Sequence, residues 1–420
     1  MKNVYIIGSH MLKTGKHLDK SIPDLTKLTV EGVLKDANIP KEDIQTVHFG
    51  NCGWGYFQNQ HLIRGQIAMR ACGIDQIPII NHEAACATAS LALHSAVKDI
   101  LTGLYDCSLA VGVEKLVNED KMKSMNFFSA AVPNYTEEIK EAVFENFNRV
   151  RELATDVEIP EYDQRGRSPF MDLYATIGLT HMQRNGTTME DYAHIAAKNH
   201  THSQYNPLAQ YQFPLTVEEV MNDYMVSYPL TRSMCAPISD GAASALVCSE
   251  EYYNKLPNSI RDRAVIVRAS VFTSGFTKEF SEDVELAQTS VLTSKQAYEM
   301  ASIKPSDIDV AEVHDATAIG ELAQYENLGF CEKGKGGEFA RSGATKLGGS
   351  LPVNTSGGLE SMGHPIGASG LCMIHEIVTQ LRGEAGKRQV EKARIGLTEN
   401  GGGIIGFDDA TCCIHILEKA

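Results

Sequence analysis

The chain has 420 residues, 43% hydrophobic and 22% charged, with 38 Lys+Arg against 53 Asp+Glu and a formal net charge of −15. This is the make-up of a globular protein with enough chain for a large core and, at about 150 residues per domain, two or three domains. It argues against a nucleic-acid binder, which needs a basic face; no stretch reaches the roughly 18 apolar residues of a membrane span, and no cysteine pair has the Cys-x-x-Cys spacing of a zinc site.

In chain order, Val4–Gly8 reads as a first strand, too short an apolar run for a signal peptide. A helix follows across Asp24–Ala37, then strands at Thr46–Gly50 and Ile77–Asn81. Ala87–Thr102 is predicted as a helix, with Leu93, Val97, Ile100, Leu101 and Leu104 at helical spacing and Gly103 as its C-terminal cap. Cys107–Val113 reads as a buried strand. Alternating strands and helices predict an α/β sheet with parallel strands. Residues 119–235 are richer in charge, aromatics and methionine, and read as a helical and irregular excursion. Strand character returns at Ala242–Cys248.

From Arg261 onward the first pattern recurs. Ala264–Ser270 and Ile308–Val313 read as strands, Ala318–Asn327 and Gly370–Arg382 as helices, and Gly383 as a stop. Arg394–Thr398 and Ile404–Phe407 read as strands flanking a glycine turn, followed by Thr411–Leu417. The expected organisation is two similar α/β halves, residues 1–118 plus 236–260 and residues 261–420, with 119–235 as an inserted loop domain.

Four segments carry chemistry. Cys86 lies in NHEAACATAS, between a strand and a helix start. A helix N-terminus lowers a thiol pKa, so Cys86 is either a nucleophile or a buried structural cysteine. Residues 354–370, NTSGGLESMGHPIGASG, hold five glycines around His364. Such a loop admits close approach by a ligand, and an imidazole there suits general base catalysis, the alternative being an ordinary histidine in a turn. His314, in VHDAT, closes a strand where α/β sites gather their groups, or is simply a strand-end residue. In TENGGGIIG, 398–406, the glycines either aim N–H groups at an oxyanion or make a tight turn.

Together these segments resemble the thiolase superfamily over essentially the whole chain. The His314-Asp315 pair makes the sterol-carrier-protein branch the nearest likeness. The resemblance implies a thiolase fold, two similar α/β halves in a layered αβαβα arrangement with an inserted loop domain. It implies that Cys86 is acylated by a thioester, that His364 takes the thiol proton, and that His314 helps bind the first oxyanion. The main-chain N–H groups of Cys86 and Gly401 would form a second oxyanion hole. No cofactor would be tightly bound, coenzyme A being a co-substrate. Met182, Arg232 and Ser274 are candidate substrate-binding residues; Arg184, Lys198, His200 and Arg232 are candidate phosphate partners.

One departure stands out. Thiolases typically carry a second cysteine just before the terminal glycines, an acid or base at the α-carbon. Here that place reads Glu399-Asn400-Gly401. His364, His314 or Glu399 is left to handle that proton, a buried carboxylate being capable of it if its pKa is raised. Thiolase-like chains without this cysteine often work beside a small zinc-ribbon and OB-fold subunit, as in acetoacetyl-CoA thiolases of archaeal type and benzoylsuccinyl-CoA thiolase. The resemblance thus implies a homodimer with a possible accessory subunit, and the ten scattered cysteines fit a reducing cytoplasm. Phe127, Phe128, Tyr135, Phe144, Phe147, Tyr162, Phe170 and Tyr174 are available either to line an acyl pocket or to build a local core. A non-thiolytic condensing enzyme on the same fold, or a non-catalytic scaffold, are the competing readings.

Overall fold

The computed structural model describes residues 3–152, 154, 156–163, 169–275 and 288–420. Its strands are β1 (Val4–Met11), β2 (Thr46–Gly50), β3 (Ile79–His82), β4 (Cys107–Glu114), β5 (Met225–Ser227), β6 (Leu230–Thr231), β7 (Gly241–Ser249), β8 (Val265–Ser274), β9 (Val310–Glu312), β10 (Ile395–Ile405) and β11 (Asp408–Lys419). Nine of them form one sheet in the order β3-β2-β4-β7-β1-β8-β11-β10-β9, while β5 and β6 make a separate hairpin.

The sheet is mixed, which corrects the expectation of parallel strands. β2 lies parallel to β3 and β4, and β9 parallel to β10. The β4–β7, β7–β1, β1–β8, β8–β11 and β11–β10 pairs are antiparallel. Order and direction repeat about the short β1–β8 contact: β1, β2, β4 and β7 on one side answer β8, β9, β10 and β11 on the other.

The two helices that matter most for the site also correspond. Thr88–Thr102 follows β3, and Ser369–Arg382 precedes β10. Each ends on a glycine in the left-handed region, Gly103 and Gly383, where a side chain would be strained. Their apolar faces, including Ala92, Leu93 and Ala96 on one and Leu371, Ile374 and Ile377 on the other, share one buried core with β1 and β7. They form the central layer of the αβαβα stack, with Ile22–Ala37 covering the outer face of the N-terminal half. A Cβ on Gly370 would fall 2.1 Å from Ser90 Oγ, so glycine is what lets the two helices cross this closely.

The chain between β4 and β7 shares its cores with the rest of the molecule. Tyr192, Ile195 and Ala196 of the helix Met189–Ser203 pack with Val313, Ile319 and Leu322. Val143, Phe147 and Val150 pack with Ile404 and Phe407. No described helix is long and apolar enough to cross a membrane.

Candidate active site

The glycine segment 401–403 is not a turn. β10 runs through it, with Gly401 opposite Cys412 and Gly402 opposite Thr411, and the chain reverses only at Gly406. Pairing with β11 along its whole length overrides the turn preference of the glycines. What the glycines provide is closeness: a Cβ on Gly402 would lie 2.3 Å from Ala84 O and 2.8 Å from Ala87 N. The strand is therefore pressed against the segment that carries Cys86.

That segment is a tight 3-10 turn, Ala85–Ala87, just ahead of the helix beginning at Thr88. Ala85 has φ +45°, a strained conformation of the kind that gathers at active sites. Thr88 Oγ1 accepts from Ala84 N at 2.8 Å and donates to Ala85 O at 2.7 Å, and Glu83 Oε1 accepts from Ala85 N at 2.7 Å.

Cys86, His314 and His364 converge, with one ligand atom from each within 4.8 Å of the others. Burial, with the charges of Asp409 and Glu83, pushes the Cys86 thiol up to about 12, while N–H groups of Gly403 and of Cys86 itself pull the other way. The expected lowering at a helix N-terminus is thus corrected. Cys86 precedes the helix, and desolvation outweighs the dipole. The thiol rests protonated and needs a base.

The two histidines are set in opposite tautomers. Ser369 Oγ donates to Pro365 O at 3.1 Å, so it accepts from His364 Nδ1 at 2.8 Å and leaves His364 Nε2 without a proton. Asn400 Nδ2 donates to His314 Nδ1 at 3.0 Å, so His314 carries its proton on Nε2. Asn400 is itself held by Ser90 Oγ at 2.9 Å. Burial holds the His314 pKa down at about 4, and burial with the His314 neighbour holds His364 well below the usual histidine range. Both rings are neutral at pH 7, one an acceptor and one a donor. Asp315, beside His314, accepts from Leu359 N at 2.7 Å and so anchors the loop that bears His364.

Glu399 does not reach the reacting groups. Its carboxylate accepts from His314 N at 3.0 Å and from Cys412 Sγ at 3.5 Å, fully buried behind the site. The N–H of Gly401 hydrogen-bonds this carboxylate, and the glycine whose main chain acts on the Cys86 thiol is Gly403. The Gly401 N–H expected to face an oxyanion is thus engaged by Glu399 instead. Burial raises the Glu399 carboxyl to about 7. A carboxyl raised on folding stabilises fully below its unfolded pKa, and the contribution is lost as pH rises through about 7. Glu399→Gln should therefore flatten the decline in thermal midpoint between pH 5 and pH 8 (read by circular dichroism). An unchanged slope would show that Glu399 does not titrate there.

Two connected spaces serve the triad. A cavity of about 470 Å³ holds Cys86 and His364 against Phe127, Phe128, Tyr174 and Met125. Through Cys235 and Pro237 it joins a wider cleft of about 1020 Å³ whose lining includes Lys16, Lys121 and Arg232. Arg232 sits there, ion-paired to Asp223 at 2.7 Å. The other candidates correct the reading of the sequence. Lys198 is buried against Glu321 at 2.5 Å, and His200 is buried beneath Tyr211 and Phe213 in the cleft wall. Exposed Arg184 lines neither space, nor does Met182, which packs into the C-terminal core, nor Ser274, exposed at the end of β8. Of the aromatics, Phe144 and Phe147 build a local core, Tyr135 is exposed, Tyr162 contacts Arg151, and the Phe170 side chain lies outside the described residues. Asn400 and Ser369 went unnoticed in the sequence. Asn400 alone carried a signal, a polar residue facing inward in a strand of small residues.

Residues 4–227 match the family model "Thiolase, N-terminal domain", and residues 276–418 match "Thiolase C-terminal domain-like". The chain belongs to the thiolase family. It is 37% identical to acetyl-CoA acetyltransferase of Methanothermobacter thermautotrophicus, covering 100% of both chains. It is 34% identical to sterol carrier protein 2 of Oryctolagus cuniculus over 95% of this chain and 70% of that one. In structure this thiolase is similar to an Ltp2-ChsH2(DUF35) aldolase, with TM-score 0.76 and 21% identity, covering 100% of this chain and 98% of that chain. These likenesses make it an acyltransferase of thiolase type.

Proposed function

We propose that this thiolase makes or breaks the carbon–carbon bond of a β-ketoacyl-CoA through an acyl-enzyme on Cys86. The observation that carries this reading is one protonated thiol meeting two neutral imidazoles of opposite tautomer. In the cleavage direction His364 Nε2 takes the thiol proton as sulfur attacks the keto carbon. The oxyanion then receives hydrogen bonds from His314 Nε2–H and from the imidazolium of His364. The N–H groups of Cys86 and Gly403 stabilise the tetrahedral intermediate when CoA resolves the acyl-enzyme.

Coenzyme A enters by the wide cleft, its phosphates toward Lys16, Lys121 and Arg232. The section from 119 to 235 supplies Phe127, Phe128 and Tyr174 to the acyl cavity. Acetoacetyl-CoA is the substrate nearest the activity named for the archaeal relative. The aromatic lining favours an aryl acyl group, as in benzoylsuccinyl-CoA, as the second reading. A homodimer joined by a small OB-fold subunit is the proposed assembly, supported by the absent second cysteine and by the two-component name of the aldolase.

Intact-protein mass spectrometry after brief exposure to acetyl-CoA and to aryl β-ketoacyl-CoAs tests this. An adduct that CoA discharges, and that Cys86→Ala lacks, is expected. Discharge to an acceptor other than CoA would favour a non-thiolytic transferase; no adduct, even with a partner subunit added, would leave the scaffold reading.

A further inference from the structure

His314 and His364 stand on separate segments of the chain, and one helix ties both segments down from outside the site. Asp315 follows His314 directly, and Glu360 stands four residues before His364. Both carboxyls are buried, as is that of Glu321 on the helix Ala318–Asn327. All three meet one amide. Asn199 Nδ2, on the helix Met189–Ser203, donates to Asp315 Oδ2 at 3.0 Å, Glu321 Oε2 at 2.7 Å and Glu360 Oε2 at 3.3 Å. Its neighbour Lys198 donates to Glu321 Oε1 at 2.5 Å and to Val353 O at 2.8 Å. Among the described residues Lys198 is the one cation ion-paired with these acids.

From there the bonds run to both histidine segments. Asp315 accepts from Leu359 N at 2.7 Å and from Glu360 N at 3.3 Å. Glu321 Oε2 also accepts from Asn354 Nδ2 at 2.8 Å, and Asn354 Oδ1 accepts at 2.8 Å from Val313 N, the residue before His314. The segment leading to His314 and the loop leading to His364 are thus fixed to a common pair of side chains. An apolar cluster would pack these segments at lower cost, because burying three carboxyls and an ammonium forfeits their hydration. Asn199 moreover leaves its Oδ1 without a hydrogen-bond partner while its Nδ2 serves three oxygens. An amide used so one-sidedly supplies direction, which hydrogen bonds have and apolar contacts lack.

We propose that Lys198 and Asn199 are positioning residues for the reaction, setting where His314 and His364 stand relative to Cys86. The inference rests on the roles given to the two histidines above. Neither residue lines the acyl cavity or the wide cleft, so both act through the acids they hold and not on the substrate.

Asn199→Ala removes three of these bonds and no group that meets the substrate. The rate of Cys86 acetylation at saturating acetyl-CoA should fall by about 10²-fold, the usual result of a misplacement near 1 Å, while half-saturation stays within about threefold of the parent. The decisive readout is the pH profile. With His364 withdrawn from the thiol, only the thiolate fraction reacts, so the residual rate should climb about tenfold per pH unit between pH 7 and pH 10, where the parent is flat. A protein that is merely destabilised loses rate without gaining that slope. Thr201→Ala, on the same helix with its hydroxyl bonded to Ala197 O, should match the parent in rate and slope. If Asn199→Ala does not fold, Lys198→Met combined with Glu321→Gln takes its place. Removing both charges leaves neither buried alone, and the same slope is expected with a loss of about tenfold. Parent-like acetylation, a loss without the slope, or the same slope in Thr201→Ala would each overturn the assignment. Alkylation of Cys86 by iodoacetamide, read by peptide mass spectrometry, reports the same proton transfer without a thioester. A parent that is alkylated but never acetylated would count against the thiolase reading, and the slope on alkylation would still decide for or against Lys198 and Asn199.

Discussion

His364→Ala is expected to lower the rate of Cys86 acetylation by about 10³-fold, within the range of a lost general base. With its pKa near 12, roughly one Cys86 thiol in 10⁵ is ionised at pH 7. The turn before the helix thus does little to prepare the nucleophile. The work falls to His364 Nε2, left bare by the hydrogen bond from Nδ1 to Ser369. The variant should show a specific signature. Its residual rate should climb about tenfold per pH unit between pH 7 and pH 10, following the thiolate fraction. The parent should be nearly flat there, since His364 is already neutral. Timed quenching with mass detection reads both. A variant within tenfold of the parent and flat with pH would sink the role given to His364.

Gly402→Ala is expected to be nearly as damaging, although residue 402 bears no reactive group. The new methyl would press on Ala84 O and Ala87 N, both main-chain atoms that cannot swing aside. Either β10 retreats, carrying Gly403 and Asn400 with it, or the Cys86 turn is displaced. Overpacking of this kind costs about 1–3 kcal/mol. The larger loss should be kinetic, because the distances that bring Cys86, His314 and His364 within 4.8 Å depend on that contact. Acetylation should fall by about 10²-fold with a lowered thermal midpoint, since a misplacement of 1 Å costs about that much. Parent-like acetylation would show that the turn can yield. Thr411→Ser, on the strand opposite Gly402, serves as a control with little effect expected on either.

The sequence by itself determined the elements and the chemical set. The helical spacing of Leu93, Val97 and Ile100, with Gly103 behind, marks a helix because a 3.6-residue period and a terminal glycine are local properties. Cys86, His314 and His364 were legible as candidates because each lies in a segment whose small residues or strand-end position leave room for chemistry beside an ordinary packing role. What the tertiary structure alone decided is how those groups behave. Cys86 looked activated by a helix end. Its protonation is set instead by burial, a property of the whole fold and of no local segment. The glycines at 401–403 looked like a turn, and β11, which comes later in the chain, makes them a strand by hydrogen-bonding along its length. That pairing sends Glu399 to the back of the site and Asn400 to its front, since successive strand residues face opposite ways. The tautomers of the two histidines depend on residues hundreds of positions apart, such as Ser90 and Asn400, which no local pattern joins.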